Sequence, residues 1–218
     1  MNVLDFKNKM YTELAGITKA LANPHRLEMI ELIAQGPCPV EYIVENTSLS
    51  VANASQHLQT LKAARLVRSE KRGKYSYYSL ASPKVYEVWD AMRELGFSQN
   101  AEIGKLMTDF QESRHNLESI TSSQLLERMK QGKALLLDVR PREEYESGHI
   151  ASALSIPQYE LIEKLKELPK DKEIVAYCRG PLCAMAYDAV ELLNKHGFKA
   201  VRLESGFPEW VVKGLPVA

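Results

Sequence analysis

The sequence predicts two domains in series: a mostly helical first half closed by a basic β-hairpin, then an α/β second half with a parallel sheet. Three observations carry this prediction. At 218 residues the chain has room for two small domains, because cores of about 100 residues are self-sufficient. In the first half apolar positions recur at helical spacing and are punctuated by Asn23-Pro24 and Gly36-Pro37. In the second half short apolar runs alternate with helical patterns, as strand–helix–strand units require.

The elements follow in order. Residues 4–22 form an amphipathic helical pattern. Asn23-Pro24 then restarts a helix, with Asn23 as N-cap and Pro24 at the first position, where its missing N–H costs nothing. Leu27, Ile30, Leu32 and Ile33 give this helix an apolar face, and Gly36-Pro37 ends it. A short helix is expected over 40–45. Ser48-Leu49-Ser50 provides the turn and cap for a helix over 51–64. Leu66-Val67 and residues 75–80 alternate like strands, with Arg72-Gly73-Lys74 as the turn. Pro83 opens a further helix to about Leu95, and residues 97–120 are expected as a continuing helix plus linker. Strands are then expected at 134–138, 153–156, 173–177 and 199–203, and helices at 142–147, 158–168, 184–196 and 208–213. The resulting boundaries are a first domain at 1–98, a connector at 99–118 and a second domain at 119–218.

Composition narrows the function. Lys plus Arg and Asp plus Glu balance at 28 each. Residues 1–100 carry 12 cations against 10 anions, and 101–218 carry 16 against 18, so a nucleic-acid surface must be a local patch. No apolar run approaches the roughly 20 residues that span a bilayer, and the start Met1-Asn2-Val3-Leu4-Asp5 lacks a signal peptide's apolar core. Three cysteines are too few for a disulfide scaffold. A cytoplasmic protein with no membrane partner is expected, with cysteines reduced unless they perform redox chemistry.

Two helices joined by a tight turn and followed by a basic hairpin make a winged helix-turn-helix. The 51–64 helix offers Asn53, Ser55, Gln56, His57 and Gln59, side chains suited to base edges and phosphates. Lys62, Arg65, Arg68, Lys71, Arg72 and Lys74 lie close by for backbone contacts. The expected DNA-binding set is Asn53, Ser55, Gln56, His57, Gln59, Lys62, Arg72 and Lys74. The competing reading is a solvated charged face with a structural His57. The motifs Ala22-Asn23-Pro24-His25-Arg26-Leu27, Leu49-Ser50, Ser55-Gln56-His57-Leu58 with Leu61, Ala64-Arg65-Leu66-Val67 and the hairpin 72–80 resemble the ArsR/SmtB family of bacterial repressors. That resemblance implies a homodimer, with the first and last helices of the domain at its interface, on double-stranded operator DNA with half-sites about one helical turn apart. Family members that sense metals use a Cys-x-Cys pair. Here Pro37-Cys38-Pro39 has one cysteine, a poor metal site, so Cys38 is expected to be a packed residue and no metal site is expected.

The second half turns on Cys178-Arg179-Gly180-Pro181-Leu182-Cys183, between the apolar run Ile174-Val175-Ala176-Tyr177 and an Ala-rich helical segment. A cysteine at a strand end and a helix N-terminus meets converging backbone N–H groups and the positive end of the helix dipole, which favour thiolate. Asp138 and Cys178 both fall at strand carboxyl ends, where parallel sheets place reactive groups. The motifs Leu137-Asp138-Val139-Arg140-Pro141, Glu143-Glu144-Tyr145, Gly148-His149-Ile150, Ile156-Pro157, the loop at Cys178, and Gly206-Phe207-Pro208-Glu209-Trp210 with Gly214-Leu215-Pro216-Val217 resemble rhodanese, a sulfurtransferase fold. In that family the loop cysteine carries sulfane sulfur as a persulfide cradled by backbone N–H groups. By resemblance Cys178 is the sulfur carrier, Gly180, Leu182 and Ala184 belong to the cradle, and Arg179 attracts anionic thiosulfate or polysulfide. Cys183 replaces the usual Ser or Thr. As a second thiol on a curled loop it is a candidate to resolve a persulfide or sulfenic acid at Cys178, the alternative being a packed residue at the helix start. A phosphatase of related fold would need a Cys-x5-Arg loop, but the sixth position after Cys178 is Ala184. Asp138 and His149 match structural positions of the family, so no catalytic triad is expected.

The sequence thus predicts a transcriptional regulator responding to small sulfur or oxidant species, without a cofactor, with the connector as coupler. The second reading is a sulfurtransferase fused to an autoregulatory repressor domain. The third is an arsenic- or metal-responsive repressor using the cysteines as soft ligands.

Overall fold

In the computed structural model, which describes residues 1–115 and 117–218, side-chain caps open several of the helices. Helix α1 (Val3–Leu21) begins where the Asn2 side chain accepts the Asp5 N–H. Helix α2 (Pro24–Ile33) begins where Asn23 accepts the Arg26 N–H and Pro24 occupies the first turn. A two-residue strand β1 (Cys38–Pro39), which the sequence does not announce, precedes α3 (Val40–Glu45). Ser50 accepts the Asn53 N–H to open α4 (Val51–Ala63). Strands β2 (Val67–Arg72) and β3 (Tyr75–Leu80) form the hairpin, with Gly73 at φ +60 in its turn. Strand β1 pairs antiparallel with the other edge of β3, Cys38 opposite Tyr78, giving the sheet order β1-β3-β2. Met29, Ile30, Ile43, Leu58 and Leu61 are fully buried at its core.

Helix α5 (Pro83–Gln99) runs a turn longer than the pattern suggested. The chain divides into two compact units, Met1–Trp89 and Asp90–Ala218, and the division falls inside this helix. The segment expected as a continuing helix plus linker holds a separate second helix, α6 (Ala101–Ser113), capped by the Asn100 side chain. Phe110 of α6 meets Tyr187 edge to face, and Arg114 pairs with Asp188. Asn116, inside the expected connector 99–118, lies outside the described residues.

The second unit is a five-stranded, fully parallel sheet in the order β4-β8-β7-β5-β6. Its elements are β4 (Ser119–Ile120), α7 (Ser122–Lys130), β5 (Ala134–Asp138), α8 (Arg142–Ser147), β6 (Leu154–Ser155), α9 (Leu161–Lys164), β7 (Glu173–Tyr177), α10 (Met185–Lys195), β8 (Ala200–Leu203) and α11 (Phe207–Val212). The expected single helix over 158–168 is broken: 3-10 turns at Gln158–Glu160 and Leu165–Glu167 flank the short α9. Central strand β7 is buried on both faces. Ile174 and Ala176 join the core under α10, and Val175 and Tyr177 join the opposite core with Trp210. Such a strand reads as an unbroken apolar run. Helices on both faces leave the strand carboxyl ends open, and the cysteine loop leaves from the end of β7.

Candidate functional site

The loop between β7 and α10 is built from short-range contacts. The Cys183 N–H donates to the Gly180 carbonyl at 3.1 Å and curls the loop, and Ala184 caps α10 without a side-chain bond. Cys178 is 4% exposed, Cys183 is half-buried, and both are free thiols. The Cys178 Sγ lies 3.6 Å from the Cys183 carbonyl and 3.9 Å from that of Gly180. The two side chains are also hydrogen-bonded to each other. Burial pushes the Cys178 thiol well above the ordinary thiol range, and the bond to Cys183 adds to this. The bond from Cys178 holds Cys183 below that range, helped by the Met185 and Arg179 amides. Gly180 is buried in the loop and Leu182 is exposed at its tip.

Arg179 points to protein. Its Nε and Nη2 donate to Glu144 Oε1 at 2.8 and 2.7 Å, and the carboxylate is 4% exposed. An arginine so engaged fixes the loop to α8, and its charge is offset locally. The last wall of the loop is the Gly206 turn. The Phe207 N–H donates to the Cys178 carbonyl at 3.3 Å. A Cβ added to Gly206 would lie 2.3 Å from the Arg179 carbonyl oxygen and 2.4 Å from the Gly180 nitrogen, so this close approach admits only glycine. Glu209 closes the turn by accepting the Gly206 N–H at 2.9 Å.

Asp138 and His149 stand apart from this chemistry. Asp138 is buried against Arg140, with Nη2 at 2.6 Å, and accepts the Tyr177 hydroxyl, which itself accepts the Ile150 N–H at 3.1 Å. Burial and Asp138 push the Tyr177 phenol far up. The His149 ring stacks on Tyr145 at 3.7 Å. This network anchors the strand end from which Cys178 leaves.

In the first unit, α4 buries Ala54, Leu58 and Leu61 and turns Asn53, Gln56, Gln59 and Lys62 outward; Ser55 is half-buried. His57 is half-buried with its ring 5.7 Å from that of His25. Desolvation, followed by the Arg26 and His25 charges, lowers its pKa. Lys62 Nζ donates to Ser69 Oγ at 2.7 Å, tying α4 to the hairpin. Arg72 lies over the Tyr77 ring and pairs with Glu70 at 2.9 Å, and Lys74 lies over Tyr75. The helix and hairpin therefore present amides and cations together. Among the described residues, no three His, Cys, Asp or Glu side chains gather into a metal site, and no helix is long and apolar enough to cross a membrane.

Sequence reasoning missed Glu144, Tyr177, Gly206 and Glu209 as site residues. The motifs containing Glu144, Gly206 and Glu209 are visible, but the contacts of Glu144 and Gly206 with the loop cross dozens of positions, and Glu209 reaches it only through Gly206.

An outward-facing helix beside a basic hairpin, in series with a cysteine loop on a parallel sheet, is the arrangement of a DNA-binding regulator carrying a rhodanese-like module. The bacterial regulatory proteins of the arsR family match residues 23–69, and the rhodanese-like domain matches residues 121–213. The chain is 39% identical over 213 residues to HTH-type transcriptional regulator Rv0324 of Mycobacterium tuberculosis, spanning 98% of this chain and 93% of that protein. It belongs to the arsR-family HTH-type transcriptional regulators and carries a rhodanese-like domain behind its winged helix. The second half alone is 34% identical over 84 residues to a sulfurtransferase of Allochromatium vinosum, covering 38% of this chain and 77% of that one. Among solved structures, the homodimeric winged helix-turn-helix domain of Mb0332 from Mycobacterium bovis is similar, with 32% identity over 43% of this chain and 87% of that one and a TM-score of 0.41.

Proposed function

We propose that this regulator senses reactive sulfur or redox state through Cys178 and Cys183 and changes its hold on operator DNA in response. One observation carries the reading: two free thiols share one loop at the carboxyl end of β7, with Cys178 Sγ 3.6 Å from the Cys183 carbonyl. With a hydropersulfide donor RS–SH, Cys178 Sγ attacks the outer sulfur while the Cys183 thiolate takes its proton. RS⁻ leaves and Cys178 becomes the persulfide. Cys183 Sγ then attacks Cys178 Sγ, the S–S bond to the terminal sulfur breaks, and hydrogen sulfide departs with the Cys183 proton. The product is a Cys178–Cys183 disulfide, formed at the expense of the donor's sulfane sulfur. Such a disulfide requires Cα atoms about 5.5–6 Å apart, and the curl made by the Gly180 carbonyl supports that approach. The cytoplasm, where a DNA-binding regulator works, keeps the pair reduced until such a species arrives.

The DNA half is read as a homodimer. Helix α1 exposes Val3, Leu4, Phe6, Met10, Tyr11, Leu14 and Ile17, an apolar stripe that a second copy would cover. The outward side chains of α4 then read two operator half-sites.

Intact mass after polysulfide treatment tests the chemistry. Wild type should lose two hydrogens on forming the disulfide and regain them with reductant. Cys183→Ser should stop at one added sulfur on Cys178, and Cys178→Ser should show neither change. Loss of the effect in none of the variants would overturn the assignment. The similarity to a sulfurtransferase supports a second reading as an enzyme, which requires repeated turnover with thiosulfate and a thiol acceptor.

A further inference from the structure

The rhodanese-like match begins at residue 121, yet a side chain well before it reaches the structure behind the cysteine loop. Arg93, on α5, donates from Nη1 to Glu209 Oε1 at 2.8 Å; the side chains are 4% and 6% exposed. The other oxygen of the same carboxylate accepts the Gly206 N–H at 2.9 Å. Gly206 abuts the backbone of Arg179 and Gly180 with no room for a Cβ, and the next amide, Phe207 N–H, holds the Cys178 carbonyl. Each link is a direct contact, and the run from guanidinium to loop backbone contains no solvated side chain. Arg93 is itself held: its Nη2 bonds Asp90, Glu94 lies at 3.7 Å, and the Phe97 ring lies beneath the guanidinium at 6.0 Å.

A buried ion pair is a costly way to gain stability, since well-packed apolar side chains of equal volume serve as well or better. What it supplies is a fixed geometry, because a fork-shaped guanidinium accepts its carboxylate in few orientations. Arg93 also falls on the stripe of α5 that carries the buried Val85, Tyr86 and Trp89, so any shift or rotation of that helix acts on Glu209.

We infer that Arg93 is a positioning residue for the cysteine loop, holding the Gly206–Phe207 backbone through Glu209 and so tying the reactivity of Cys178 and Cys183 to the setting of α5. This role rests on the reading of that loop as the reactive site. The coupling element between DNA-binding helices and sulfur chemistry is then α5 itself, not the connector beyond it.

The test compares full-length wild type, Arg93→Ala, Arg93→Lys and Glu209→Gln. Iodoacetamide alkylation of each cysteine is timed by peptide mass mapping across a pH series, with Cys38 as internal control. Arg93→Ala and Glu209→Gln are expected to change the Cys178 or Cys183 rate by about fivefold or more and to move its pH midpoint, because the cradle amides set thiolate stability. The Cys38 rate should stay put, and Arg93→Lys, which restores a cation at Glu209, should return the loop rates toward wild type. Glu209→Gln keeps the side-chain shape and so decides the matter if Arg93→Ala folds poorly. Loop rates within about twofold of wild type in both variants, or a Cys38 rate rising in step with the loop, would overturn the role. Uptake of sulfur from polysulfide by the wild type is scored separately. Its absence would defeat the sensing proposal while the alkylation rates still decide on Arg93.

Discussion

Two cysteines five positions apart have opposite electrostatic fates. Burial pushes the Cys178 thiol up, whereas the bond from Cys178 holds the half-buried Cys183 below the ordinary thiol range. A thiolate forms at lower pH on Cys183 because its anion is stabilised, and at higher pH on Cys178 because burial penalises the anion. Alkylation of Cys183 should therefore reach half its plateau below the usual thiol midpoint of about 8.5, and that of Cys178 above it. Peptide mapping over a pH series checks this, and a shared midpoint near the ordinary value would contradict it. Gly206 is as restrictive as the thiols are reactive. Gly206→Ala forces a Cβ against the Arg179 carbonyl and should destabilise the second unit by at least about 1–3 kcal/mol, seen as a lower urea midpoint for the rhodanese-like unit. Arg179, expected by resemblance to attract an anion, is held by Glu144; no local pattern reveals a partner 35 positions away.

At the scale of elements, cap chemistry explains much of what could be read from the sequence. Asn23-Pro24 and Ser50 sit where α2 and α4 begin, and the apolar run at 173–177 is β7 residue for residue. The same chemistry was present but unread at α7, where Thr121 and Gln124 form a capping box. Strand β1 is too short for any period to show; it exists because β3 offers it an edge. Helix α6 looks like linker because it has no fully buried residue and contacts its neighbours only through side chains such as Phe110 and Arg114. For α4 and the hairpin the division of labour is testable. Gln59→Ala should cost about 1–3 kcal/mol of operator affinity if the amide reads a base. Lys74→Ala should weaken all sequences alike and reduce the salt slope by about 1. Binding titrations at several salt concentrations separate the two. A uniform, salt-dependent loss for Gln59→Ala would remove it from the base-reading set.

At the scale of the molecule, one chain holds an arsR-family DNA-binding unit and a rhodanese-like fold, and the division between them falls inside α5. Sequence motifs announced both halves because each is assembled from local segments. The Arg93–Glu209 pair of the second unit was hidden, since it spans 116 positions and an arginine in a helix looks like any solvated charge. If the halves act as one device, chemistry at the cysteines must carry a free-energy difference to the operator, and couplings of this kind amount to about 1–3 kcal/mol. The most direct measurement is an operator titration with the upstream promoter region as probe, comparing reduced protein, polysulfide-treated protein and Cys178→Ser, with intact mass taken on each sample. The account predicts that treatment shifts wild-type affinity by at least about tenfold, or ~1.4 kcal/mol, and that Cys178→Ser neither changes mass nor shifts. A wild-type protein that reacts with polysulfide yet binds its operator with unchanged affinity would contradict it.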